Sequence, residues 1–557
     1  MLSAAAAALA LSLPAADNTT CCEPYRTGRR LLASDRQGSC LVTELDTTYV
    51  LKSRSARSLA RAKAVPIDEC KEVCVDAELA TRPFSSGLTT LAPVISAVRA
   101  LELRNIQLDE AALWKLAGMS QACSASHVTR RLRWLSMDNN GLRASDADAL
   151  GGLLRPPSAI RFLKIRSNDI GDRGAAAIAM RMMQRVKGNE AVRGLELTDT
   201  DVGAQGLEAI FMSAISAASP NDAMPLRFNL TIASHTFERH ALLDAFEAFE
   251  RRTRSAGHWT GPTLPAQKAR QTLWLGLPHN ALGDAGVTRL SRHLLHLFGN
   301  LDRGVRPLSG LDLRANDIGD SGARLVASTA LRISSLTLLD MRSNPVREDG
   351  FAALISLCAH PSLKRLRLPA PPHSISLAGS KRLISDHTWE DTHSQQLDSA
   401  LAGLPSSPLR ELYIPRWDLL GRRAIMALLH ALLAGSRLEE LDLRGAKMDT
   451  AAANVLADAL QKPGCQLRLL NLDEIGLSVN AVVRIARSLR NNTRMHTLML
   501  SKNNVGVSGA RALIESAQSA GALQHVSLVD SGVGNRLQSQ LQRILVQNAK
   551  KVKRNGA

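Results

Sequence analysis

An acid and an arginine two residues apart recur along this chain, as Asp312 and Arg314, Asp340 and Arg342, and Asp442 and Arg444. A guanidinium is a planar fork of donors that can take a carboxylate through two bonds at once. Such pairs do recognition chemistry, with each other or with a partner. Side chains for bond-making chemistry do not assemble in the same way. There is no glycine-rich loop ending in Gly-Lys-Ser/Thr, no Gly-x-Gly-x-x-Gly after a strand, no His-Glu-x-x-His and no Gly-x-Ser-x-Gly. His387 and His393 share the stretch SDHTWEDTH with Asp386, Glu390 and Asp391, which reads as a polar loop more readily than as a ligand set. His235, His240 and His258 flank or occupy another irregular stretch. Cys70 and Cys74 are at helical spacing but lack the second ligand pair that zinc requires. The sequence predicts no catalytic residue, no metal and no cofactor, and it disfavours a small-molecule substrate.

The elements that carry the acid–arginine pairs have a fixed pattern. In LSGLDLRANDIGDSG (308–322), apolar residues alternate and then give way to Asn316 and two glycines. That pattern predicts a short strand turning a corner into a helix. The frame is an apolar residue, two others, Leu, one other, Leu, two others, Asn, one other, apolar. It returns at LRWLSMDNNGL (132–142), IRFLKIRSNDI (160–170), TLWLGLPHNAL (272–282), LTLLDMRSNPV (336–346) and MHTLMLSKNNV (495–505). Looser copies lie at 98–108, 192–202, 363–369, 409–419, 438–448, 467–477 and 523–533, with a poor one at 227–237. Positions equivalent to the Asn fall at 417, 446, 475, 503 and 531, steps of 29, 29, 28 and 28 residues. A steady period of this length marks stacked repeats.

These frames resemble the leucine-rich repeat family, in its long ribonuclease-inhibitor-like class. The resemblance implies an α/β solenoid, a horseshoe with parallel strands on its concave face and helices on its convex face, and binding of proteins without catalysis. Asn140, Asn168, Asn280, Asn316, Asn344 and Asn503 are expected to turn inward and satisfy backbone groups at the bend. The organisation expected is a targeting or disordered segment over 1–20, a cap or non-repeat region over 21–95, repeats over 96–540, and a basic tail over 541–557. Insertions are expected near 238–271 and 372–408. In the N-terminal region CLVTELDTTYVLKS (40–53) reads as a strand pair or a strand and turn, and ECKEVCVDAELA reads as a helix.

Strand alternation sends the frame leucines inward and their neighbours to the open sheet face. The candidate protein-binding residues are therefore Trp134, Phe162, Lys164, Arg166, Trp274, Asp312, Arg314, Asp340, Arg342, Arg367, Tyr413, Asp442 and Arg444. Trp, Tyr and Arg are the usual anchors of interfaces, and only 3% of the chain is aromatic. The net charge is +18 over 557 residues, which favours an anionic neighbour without naming one. A protein-interaction scaffold that binds through the concave face and the insertions is the favoured reading. A component of an RNA-containing complex such as an organellar ribosome, and a cytoskeletal or ciliary component, are the alternatives. No stretch reads as an integral membrane segment. An intracellular location is favoured, the apolar run Ala4–Leu13 leaves secretion and mitochondrial import open beside it, and Asn18, Asn229 and Asn491 are glycosylation sequons.

Overall fold

The side-chain alternation of each frame fixes which face its strand buries. In WLSMD, Leu135 and Met137 are fully buried while Trp134 and Asp138 are half-buried. The computed structural model describes residues 39–45, 48–53, 72–76, 100–105, 107–125, 132–155, 158–184, 192–215, 227–234, 239–255, 272–299, 306–370, 399–415 and 421–555. The chain divides into two compact units, Met1–Gly276 with Leu301–Pro307, and Leu277–Asn300 with Leu308–Ala557. Each is an α/β solenoid.

In the first unit the strands are β1 (Ser39–Leu45), β2 (Thr48–Ser53), β3 (Glu72–Asp76), β4 (Ala100–Arg104), β5 (Trp134–Asp138), β6 (Phe162–Arg166), β7 (Gly194–Thr198), β8 (Arg227–Ala233) and β9 (Thr272–Gly276). β1 and β2 form an antiparallel pair, as one of the two readings of 40–53 expects. From β3 to β9 each strand pairs in parallel with the next. The helix expected at ECKEVCVDAELA is corrected at its centre, where Glu72–Asp76 is a strand pairing in parallel with β1 and β4. The i,i+4 cysteines suggested a helix, but Val73 and Val75 are β-branched and alternate, which suits a sheet interior. The start of the first insertion is helical, over Arg239–Ser255. Phe246 and Phe249 of that helix pack on Phe211, with ring centroids 4.3 and 6.4 Å away.

In the second unit β10 (Leu308–Asp312), β11 (Leu338–Asp340), β12 (Arg365–Arg367), β13 (Glu411–Tyr413), β14 (Glu440–Asp442), β15 (Leu469–Asn471), β16 (Thr497–Met499) and β17 (His525–Ser527) pair in parallel in chain order. Helices such as Asp320–Arg332, Thr450–Gln461 and Gly506–Ala520 cover one side of this sheet. Residues 541–555 continue the helix Asn535–Asn555, with Leu541 and Leu545 buried. The insertion 372–408 lies largely outside the described residues, as do 1–38 and the SDHTWEDTH stretch. Among the described residues no helix is long and apolar enough to cross a membrane. The sequon Asn229 is buried within β8, whereas Asn491 is exposed.

Two ladders of side chains tie repeat to repeat. The first is the asparagine ladder. Asn344 Oδ1 accepts from the backbone N–H groups of Asn316 and Ile318 at 2.9 and 3.1 Å. Its Nδ2 donates to the carbonyls of Leu313 and Met341 at 2.9 and 2.8 Å. Asn168, Asn316 and Asn503 repeat parts of this pattern, and all six frame asparagines are at most 4% exposed. The residue before the Asn is left-handed in repeat after repeat, for instance Ala315 at φ 51° and Ser343 at φ 58°. That kink is what leaves backbone groups open for the amide.

The second ladder runs between helix starts. Asp284 Oδ1 accepts from Gly319 N–H at 2.7 Å, and Asp320 Oδ1 accepts from Arg347 and Gly350 N–H at 2.8 and 3.0 Å. In the first unit Asp172 Oδ1 accepts from Gly206 N–H at 2.8 Å. The aspartate of one repeat thus satisfies the open N–H groups that begin the next helix. It also explains Gly322, where a Cβ would come within 2.4 Å of Asp284 Oδ1.

Candidate interaction face

The sheet of the second unit turns the acid–arginine pairs to its open side, in register. Asp312 lies beside Asp340, Asp340 beside Arg367, Arg367 beside Tyr413 and Tyr413 beside Asp442. Adjacent strands are about 4.8 Å apart, so these residues form a row. Asp312 and Asp340 are each 2% exposed and Asp442 is 8% exposed. The arginines above them are half-exposed.

Buried carboxylates require partners, and each has several. Arg314 Nε bonds Asp312 Oδ1 and Oδ2 at 2.9 and 3.0 Å, and its Nη2 reaches Oδ2 at 2.8 Å. Arg342 grips Asp340 in the same way, at 2.9 Å from Nε and 2.7 Å from Nη2. Arg367 bridges strands, with Nη1 3.3 Å from Asp340 Oδ2 and Nε 2.5 Å from Glu411 Oε1. Arg365 Nε lies 3.6 Å from Glu411 Oε2. Each aspartate also accepts from the backbone N–H two residues on, at 3.1 Å for Arg314, 3.2 Å for Arg342 and 3.0 Å for Arg444. The carboxylate therefore shapes the strand's exit as well as holding the guanidinium.

The electrostatics follow from this packing. Burial pushes the Asp312 carboxyl above its ordinary value, against the pull of Arg314, and the Asp340 charge adds to the rise. Burial disfavours charge on Arg314 and Arg367 too. The Asp312 bond and charge outweigh it for Arg314, as the Glu411 and Asp340 charges do for Arg367, and both guanidinium values are raised. Tyr413 completes the acid–arginine ladder, with the Arg342 guanidinium 5.5 Å from its ring centroid. Arg444 is held more loosely, by one contact of 3.4 Å to Asp442, whose Oδ2 also accepts from Asn471.

The first unit places the remaining candidates. Trp134 pairs in register with Phe162, and Lys164 makes a 3.0 Å ion pair with Glu196. Arg166 is exposed beside Asp138, whose carboxyl burial pushes upward while Arg166 and Arg104 pull it back. Trp274 stands on β9, three strands beyond Phe162. The sheet itself explains two of these aromatics. A Cβ at Gly194 would sit 2.6 Å from the Phe162 ring, and one at Gly276 would sit 2.8 Å from the Trp274 ring. Both rings lie over glycine gaps in their own sheet. Arg365 was not among the candidates, although LKRLRL carries both arginines; its partner Glu411 follows only after the 372–408 insertion.

Among the described residues no group of three or more His, Cys, Asp and Glu is placed to hold a metal. Cys358 is buried and its thiol is pushed up to about 12 by that burial, which makes it a packing residue.

The parallel register, the asparagine ladder and one helix per strand define the class: this is a leucine-rich repeat protein. A family model described as leucine-rich repeat matches residues 160–179 and 306–327. The chain is similar to ribonuclease inhibitor of Sus scrofa, 28% identical over 300 residues, which cover 49% of this chain and 61% of that protein. It is also similar to NACHT, LRR and PYD domains-containing protein 12 of Mus musculus, 26% identical over 329 residues, covering 57% of this chain and 29% of that one. Within the class the chain is ribonuclease-inhibitor-like. It spans less than two thirds of the length of these relatives.

Proposed function

We propose that this protein is a non-catalytic scaffold that binds a protein partner on the open sheet face of its second unit, between Asp312 and Arg444. A leucine-rich repeat scaffold supports protein binding in general. The observation that carries the specific reading is the ladder itself, in which half-exposed arginines are aimed by buried carboxylates and joined by Tyr413. Guanidinium groups already fixed in direction lose little freedom on binding. The signs along the row are mixed, which suits a protein surface better than a phosphate backbone. The insertions, expected as further contact surfaces, lie mostly outside the described residues. The relative named ribonuclease inhibitor is consistent with a binding role, and its partner is not transferred to this chain.

Simple charge reversal of Arg342 would take from Asp340 its closest partner, set a like charge beside the buried carboxylate and endanger the fold. The cleaner variant removes both ends, as Asp340→Asn with Arg342→Gln, combined with Tyr413→Ala. Affinity purification from cells, with and without ribonuclease, tests the reading. Loss of the same ribonuclease-resistant proteins from this variant, at an unchanged melting temperature, is the expected result. Full recovery of all partners would remove the face from the account.

A further inference from the structure

The second unit carries another charged surface, at the edge where its strands begin. For β12 to β16 the residue preceding the strand's first face position is, in order, Lys364, Arg410, Glu439, Arg468 and His496, between the uncharged Thr337 before β11 and Gln524 before β17. Their backbones are joined one to the next: Arg410 N–H donates to the Lys364 carbonyl, Glu439 to Arg410, Arg468 to Glu439 and His496 to Arg468, at 2.7–2.9 Å. Two residues earlier along the chain, Arg437 and Arg494 occupy equivalent places two repeats apart. Lys364, Arg410, Arg437, Arg468 and Arg494 are all exposed. One carboxylate, Glu439, stands among them, 2.6 Å from Arg410 Nη1 and 4.0 Å from Arg468 Nη1. Among the described residues Arg437 and Arg494 have no ion pair. The last helix brings more charge to this edge. Asn548 donates to the carbonyls of Ala517 and Leu523, which sets the exposed Lys550 and Lys551 beside the start of β17.

A cation at the end of a helix is ordinarily explained by the helix dipole, and Lys462, bonded to the Leu433 carbonyl at 2.7 Å, is such a case. The edge row is not. Its members lie beyond the helix ends, on the entry to the strands, and Arg410 and Arg468 keep 60% and 51% of their side-chain surface exposed. The positive potential is felt by a neighbour: burial, followed by the charges of Arg468 and Arg494, lowers the His496 value.

We propose that this edge binds an acidic, extended polypeptide segment. Four of the five cations are arginines, whose forks suit carboxylates. The row advances about 4.8 Å per repeat, a distance an extended chain follows with one or two residues. Glu439 interrupts the row. A polypeptide can place a neutral residue there, whereas a nucleic-acid backbone carries a phosphate at every step. No Phe, Tyr or Trp stands among the described residues of the row, and its one imidazole, His496, is half-buried, so bases find little to stack on. The row lies at the entry of strands β12–β14, which also carry part of the Asp312–Arg444 face, and the proposal does not depend on that face.

The test is fluorescence anisotropy of a fluorescein-labelled decaglutamate peptide with the full chain at low salt. Arg437→Glu with Arg494→Glu should raise Kd at least about tenfold, while Arg511→Glu with Arg543→Glu, exposed helix arginines giving the same net charge, should change it less than about threefold. Melting curves accompany each variant, and Arg437→Gln with Arg494→Gln replaces the reversal if it lowers the melt. The sheet-face variant Asp340→Asn with Arg342→Gln should bind the peptide as wild type does. Equal losses from the two reversal pairs would mean that net charge alone attracts the peptide, and the proposal fails. A ten-nucleotide RNA that displaces the peptide, and is itself lost with Arg437 and Arg494, would assign the edge to nucleic acid instead.

Discussion

Asp312 shows how one residue type can serve fold and recognition together. Its carboxylate bonds the backbone of Arg314, aims the Arg314 side chain and is almost fully buried. Its raised folded-state value means that the native protein holds this proton more tightly than the unfolded chain does. The stability gained from that proton is present below the ordinary carboxylate value and is lost as pH rises through the raised one. Wild type should therefore lose ground to Asp312→Asn as pH rises from about 3 to about 7, read as the difference between their urea midpoints. A difference that stays constant would mean that the carboxyl is not shifted. Asn344 works on the same scale without charge. Replacing it with Ala leaves four backbone groups unpaired beneath the surface. The expected loss is roughly 3–5 kcal/mol in chemical denaturation, since each unpaired buried group costs about 1–3 kcal/mol and some recruit water. A loss below about 1 kcal/mol would show that water replaces the amide at little cost.

At the scale of the element, the strand–turn–helix unit was legible because its period is rigid. Leu311 and Leu313 alternate, Asn316 marks the bend and Gly322 the helix start, and the structure uses each as that spacing implies. The repeated Gly-Asp-x-Gly stretches were legible as turns, but the aspartate's bond to the next repeat was not, because its partner N–H lies 35 positions away. Residues 72–76 were misread because five residues are too few for periodicity to separate strand from helix. The helix-start ladder makes its own prediction. Gly322→Ala should destabilise the protein more than Gly464→Ala, whose added Cβ meets nothing within 4 Å, while Asp284→Ala should relieve part of the clash in a Gly322→Ala background, leaving the 2.7 Å approach to Ile318 Cγ2. Thermal melts of the four proteins decide it, and strict additivity would contradict the contact. Leu311→Ala and Leu441→Ala, at 2% and 0% exposed, should each cost roughly 2–5 kcal/mol.

For the whole molecule, the fold was readable and the site only half so. The positions facing the open sheet followed from alternation, and Asp312, Arg314, Asp340, Arg342, Arg367, Tyr413, Asp442 and Arg444 do fall within one run of strands. What spacing could not reveal was depth. The aspartates are buried and the arginines lean over them, while Phe162 and Trp274 cover glycines. The central claim is that this face of the second unit meets a protein. It is tested most directly by placing a photo-crosslinking benzophenone side chain at Tyr413, and separately at the exposed helix position Leu331, in the full chain in cells. The account predicts a discrete protein adduct from position 413 that disappears when Asp340→Asn and Arg342→Gln are added, and none from position 331. Adducts from position 331 alone, or a position-413 adduct indifferent to loss of the ladder, would contradict it.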